Sequence, residues 1–132
     1  MTDRKLIDIA TDAIGNSYSP YSRVKVGAAL ECSDGTVFTG SNIENASFSA
    51  ALCAEAAAVA AAVSAGKRKF KRIAIVSDGA SYCFPCGTCR QLLSEFTLET
   101  EVLCARSDGR YVSYPLASLL PMAAGKEQKE NI

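Results

Sequence analysis

Residues 50–65 are mostly alanine, interrupted by Leu52, Cys53, Glu55, Val59 and Val63. Alanine has the best helix propensity, and Gly66 stops the run, so the segment predicts a helix over 50–65. So many small side chains imply a buried helix that packs close to a sheet. The rest of the chain must therefore supply that sheet.

Val24, Val26, Ala28, Leu30 and Cys32 alternate with Lys25, Gly27, Ala29 and Glu31. Period two predicts a strand. Ser33-Asp34-Gly35 turns the chain, and residues 36–40 return as a second strand of a hairpin. Ile73 to Val76 is a continuous apolar run, as expected of a central strand covered on both faces. Residues 102–105 and 111–114 predict two more strands, joined across Ser107-Asp108-Gly109.

Helices are predicted over 3–14, capped by Thr2, over 86–96 with Leu92, Leu93 and Phe96 facing inward, and over 115–120. The order α-β-β-α-β-α-β-β-α implies an α/β fold with helices on both faces of the sheet. A chain of 132 residues without repeat or linker is expected to form one domain over 1–132, with 122–132 as a mobile tail.

Formal net charge is zero, so no long-range field draws in nucleic acid or an anionic membrane. The basic run Lys67 to Arg72 reads as a solvated loop rather than a polynucleotide site. Neither a signal peptide nor a bilayer-spanning run is visible, so the expected address is the cytoplasm.

There are six cysteines and no histidine. Ser-His and Cys-His nucleophile pairs are thereby excluded, and a transition-metal site must use cysteine or carboxylate. Four readings compete. Buried packing thiols suit Cys32 and Cys104, which fall in strand patterns. A redox pair suits Cys86 and Cys89 but gives Cys53-Ala54-Glu55 no role. A closed site on Cys53, Cys83, Cys86 and Cys89 would hold structural zinc or an iron–sulfur cluster. An open zinc site on Cys53, Cys86 and Cys89 would leave a position for water, with Glu55 beside it as the acid–base group.

Cys53-Ala54-Glu55 followed by Pro85-Cys86-Gly87-Thr88-Cys89-Arg90 resembles the zinc signature of the cytidine deaminase superfamily. Tyr18 to Arg23, Val26 to Leu30, Gly40 to Ala46 and Leu119-Leu120-Pro121 are similar to its small homotetrameric class, so the resemblance covers about residues 5–121. It implies a three-layer α/β/α fold with a five-stranded mixed sheet, and one zinc ion per subunit on Cys53, Cys86 and Cys89. Cys83 then stands at ligand-like spacing without being a ligand. The implied reaction is hydrolytic deamination of cytidine or deoxycytidine with release of ammonia, a step of pyrimidine salvage. Glu55 is implied as proton carrier, Asn42 and Glu44 as ligands of the sugar hydroxyls, and Ala54 as a further substrate contact. The implied partners are a small nucleoside and three copies of the same chain.

Four positions depart from the pattern. Ala56 stands where relatives carry an arginine that hydrogen-bonds the thiolates, so one compensating charge is missing while Arg90 and the helix dipoles remain. Val24 replaces a phenylalanine that packs on the pyrimidine, Phe84 replaces a serine, and Met122 replaces an aromatic after Pro121. Phe84 is expected to refill part of the aromatic wall. A relative acting on another aminopyrimidine, such as blasticidin S or an N4-substituted cytidine, is the alternative. The pair Asn42 and Glu44 favours the nucleoside.

Overall fold

A computed structural model describes residues 1–125. Its strands are β1 (Val26–Cys32), β2 (Val37–Ser41), β3 (Phe70–Ser77), β4 (Glu101–Ala105) and β5 (Tyr111–Pro115). They form one five-stranded sheet in the order β2-β1-β3-β4-β5. β3 and β4 are parallel, and every other neighbouring pair is antiparallel. A parallel pair needs a crossover, here supplied by α3 (Gly87–Ser94). Helix α1 (Asp3–Ala13) covers one face of the sheet, while α2 (Ala54–Ser64), α3 and the short α4 (Leu116–Leu119) cover the other. The expected three-layer α/β/α architecture is present.

Within β3, Ile73 and Ile75 pack toward α2, and Ala74 and Val76 pack toward α1. This is the central strand covered on both faces. Two glycines set how closely the helices approach. A Cβ on Gly27 would lie 2.0 Å from the Ala10 carbonyl oxygen of α1. On the opposite face, the Ala54 and Ala58 backbone of α2 lies directly over Gly40. The small side chains of α2 and the bare backbone of Gly40 together bring the helix down onto β2.

Several boundaries differ from the sequence expectation. The alanine-rich helix begins at Ala54 instead of residue 50. Ile43 and Leu52 exchange both backbone hydrogen bonds, at 2.9 and 2.8 Å, which holds the chain extended up to Cys53. β1 begins at Val26, and Val24 lies outside it, half exposed. α3 ends at Ser94, and Leu92 is on its exposed side, while Leu93 carries the burial. Glu31 is buried where alternation alone suggests an outward position, because α1 covers that face. Its charge is met by Arg72 at 2.5 Å, which also reaches Asp3 of α1 at 2.6 Å. Of the expected tail, 126–132 lie outside the described residues.

Candidate active site

Helices α2 and α3 both start from an extended N-cap residue, and in each case that residue is a cysteine: Cys53 and Cys86. Neither thiol caps its own helix, so both are free to project from the helix mouth. Their sulfurs lie 3.6 Å apart. Cys89 follows in the first turn of α3, and the three Sγ atoms all lie within 4.8 Å of one another. A tetrahedral zinc with thiolates at about 2.3 Å needs sulfurs about 3.8 Å apart, so this donor set fits zinc. Among the described residues it is the one cluster of metal-ligating side chains.

Cys83 is not part of that cluster. It packs partly buried against the core, and burial pushes its thiol up to about 12. Cys32 and Cys104 are buried in β1 and β4. The closed four-cysteine site is therefore not formed, and the packing reading holds for the two strand cysteines.

Burial pushes the Cys53 thiol up to about 11, and its hydrogen bond with Cys86 adds to the rise. Cys89 is raised still further, by burial first and then by the nearby Glu55 carboxylate. Burial also acts on Cys86, but the Cys89 backbone N–H and the two neighbouring thiols outweigh it, so that thiol ends below its ordinary value. A cation at the cluster reverses the rise at Cys53 and Cys89, because coordination deprotonates a thiol outright.

Glu55 stands in the first turn of α2 with 4% of its surface exposed. Burial pushes its carboxyl above the usual range, partly offset by its own backbone N–H and by the Cys89 thiol. A buried carboxyl beside a metal-ligating cluster is suited to taking and returning a proton.

The cluster opens on a cavity of about 410 Å³. Six of the seven site residues expected from sequence line it: Asn42, Glu44, Cys53, Ala54, Glu55 and Cys86. Cys89, the seventh, lies buried behind them. The Asn42 amide joins β1 to the loop before it, with Oδ1 accepting the Val26 N–H at 2.9 Å and Nδ2 donating to the Val24 carbonyl at 2.9 Å. Glu44 Oε1 accepts the backbone N–H groups of Tyr21 and Ser22 at 2.9 and 3.1 Å.

Of the three unusual positions around the site, only Phe84 lines the cavity; Val26, not Val24, forms that part of the wall, and Ala56 is not in it. The Arg90 guanidinium donates to the carbonyls of Pro85 and Leu119. Ile43, Phe48 and Leu52 line the cavity without having been expected there. An aromatic in the otherwise small, polar stretch 45–50 is the one signal that marks Phe48.

Over residues 1–105 the chain matches the profile of the cytidine and deoxycytidylate deaminase zinc-binding region. It belongs to this deaminase family. A cytidine deaminase of Sporosarcina psychrophila is 42% identical over 128 residues, covering 96% of this chain and 94% of its own. The crystal structure of a cytidine deaminase from Burkholderia pseudomallei superimposes with a TM-score of 0.91 at 41% identity, covering 94% of this chain and 100% of the other. A blasticidin-S deaminase of Bacillus cereus is more distant, 31% identical over 128 residues, covering 91% of this chain and 90% of its own. The deaminase family's zinc-binding region spans Cys53, Cys86 and Cys89, and zinc is the cofactor that their geometry fits.

Proposed function

We propose that this deaminase hydrolyses cytidine and deoxycytidine to uridine and deoxyuridine, releasing ammonia. One observation carries the reading: three sulfurs lie within 4.8 Å of one another, and two of them, on Cys53 and Cys86, line the same cavity as the buried Glu55. Cys53, Cys86 and Cys89 hold the zinc. When bound, it supplies the Lewis acidity that makes water a nucleophile at neutral pH.

The Glu55 carboxylate takes a proton from the attacking water and passes it to ring N3. It then carries a second proton to the departing amine. Burial favours the protonated carboxyl that this transfer requires midway. Ala54 offers its backbone N–H, one of the donors that a first helical turn leaves without an intrahelical partner. Asn42 and Glu44 hold the sugar hydroxyls at the other end of the cavity, and Phe84 walls the ring. Replacing Glu55 by Gln is the test. Deamination is expected to fall by at least about a hundredfold with zinc retained; full activity would refute the role.

The blasticidin-S deaminase relative supports a second substrate reading. Cytidine, deoxycytidine, cytosine and blasticidin S assayed side by side separate the two. Preferential turnover of blasticidin S would replace the nucleoside assignment.

The enzyme is further proposed to be a homotetramer acting in cytoplasmic pyrimidine salvage. Phe48 at 85%, Ile43 at 46% and Leu52 at 39% exposure form an apolar rim around the cavity, of a kind that association covers. All six cysteines are unpaired, which suits a reducing compartment. Light scattering that gives a monomer at working concentration would overturn the tetramer.

A further inference from the structure

Cys86 and Cys89 lie on either side of a helix start, where the first backbone N–H groups have no intrahelical partner. Cys86 caps α3 from outside, and Cys89 is inside its first turn. One side chain ties the two positions together. Arg90 Nε donates to the Pro85 carbonyl at 2.8 Å, and Nη1 donates to the Leu119 carbonyl at 2.9 Å. The residue directly after one cysteine thus clamps the peptide directly before the other. The same guanidinium fastens both to the end of α4.

Both bonds are charge-assisted and so stronger than neutral ones. Pro85 is among the fully buried residues, so its carbonyl depends on an internal donor. The positive charge of Arg90 bears on Cys104, whose thiol it pulls down. The hold of Arg90 on the cluster runs through the two carbonyls that it binds.

We infer that Arg90 is a positioning residue for the zinc site, holding the Cys86 and Cys89 sulfurs at ligating separation by clamping the Pro85 carbonyl to α3 and to the end of α4. The inference rests on the assignment of Cys86 and Cys89 as zinc ligands.

The test is zinc release. Zinc-loaded wild type, Arg90→Met and Arg90→Lys are mixed with excess 4-(2-pyridylazo)resorcinol, and the metal–dye absorbance is followed. Methionine keeps much of the volume and removes the donors; lysine keeps the charge and reaches one carbonyl at a time. Arg90→Met is expected to release zinc about 10- to 100-fold faster, the range for losing a group that orients a ligand. Arg90→Lys is expected to fall between it and wild type. Unfolding midpoints of the zinc-free proteins are measured in parallel. A lowered zinc-free midpoint with unchanged zinc release would overturn the inference, because a purely structural arginine gives that pattern. If Arg90→Met does not fold, Arg90→Lys decides alone, and a wild-type release rate would again overturn it. Cys86→Ser separates the underlying assignment: one full equivalent of zinc retained there would refute the ligand reading whatever Arg90 does.

Discussion

The Ser17 hydroxyl donates to the Asn42 side-chain oxygen at 2.5 Å, beside the Val26 N–H already bound there. Since Nδ2 gives one proton to the Val24 carbonyl, a single N–H of the amide remains for a ligand. In the proposed sugar contact Asn42 can therefore only donate, which leaves the accepting role there to the Glu44 carboxylate. Asn42→Ala is expected to weaken competitive inhibition by uridine about tenfold. Inhibition by 2′,3′-dideoxyuridine, which lacks both hydroxyls, should change much less. Ser17→Ala leaves the two backbone partners in place and should give only about a two- to fivefold loss on uridine. Equal losses of both inhibitors in Asn42→Ala would mean that the amide acts through the loop it pins and not on the sugar.

A Cβ added to Gly40 would lie 2.2 Å from the Ala54 carbonyl oxygen and 2.5 Å from the Ala58 nitrogen. Both are backbone atoms of α2, so the helix must move, and Cys53 and Glu55 move with its first turn. Gly40→Ala is expected to destabilise the fold by about 1–3 kcal/mol or more and to lower zinc stoichiometry. Denaturant midpoints and metal analysis measure the two effects. Gly27→Ala makes a similar demand on α1 and should destabilise the fold without reducing zinc stoichiometry.

The chemistry of the site was legible because it depends on residue type and short spacing. Cys53 with Glu55, and Cys86 with Cys89, each fall at the start of a helix, and a helix start preserves such spacing in any tertiary context. The core was legible for a similar reason, since the short apolar run Ile73 to Val76, rich in β-branched residues, suits a strand buried on both faces, and it is one. What escaped the sequence came from partners distant along the chain. The start of α2 is set by the Ile43–Leu52 pairing, which overrides alanine propensity. Val24 and Val26 share one alternating pattern, yet the Asn42 amide bonds to both and the strand starts only at the second. The direction of Arg90 depends on where α4 ends, and the burial of Glu31 depends on α1 crossing the sheet. No local pattern carries any of these.

Phe84 lines the cavity with 46% of its surface exposed, its ring centroid 6.4 Å from that of Tyr114. An aromatic face against a base contributes about 1–3 kcal/mol. Phe84→Ala is therefore expected to raise KM for cytidine about ten- to a hundredfold, with a smaller effect on kcat. Steady-state kinetics supply the measurement, and an unchanged KM would remove Phe84 from the ring wall.

Cys104, fully buried in β4, yields a pH dependence that does not involve the zinc ligands. Burial pushes its thiol up from the ordinary 9.0 to about 11, Arg90 pulling it down and Glu55 adding to the rise. The fold therefore favours the protonated thiol over what the unfolded chain allows. That contribution is fully present below pH 9.0 and is lost as pH rises toward about 11. Cys104→Val keeps an apolar side chain of similar size and removes the titration. The wild-type Tm is expected to fall more steeply than that of Cys104→Val across this window, with the two curves parallel below it. Lysine and tyrosine ionisations are common to both proteins and cancel in the difference. Curves that stay parallel through the whole window would show that the Cys104 proton is not linked to folding.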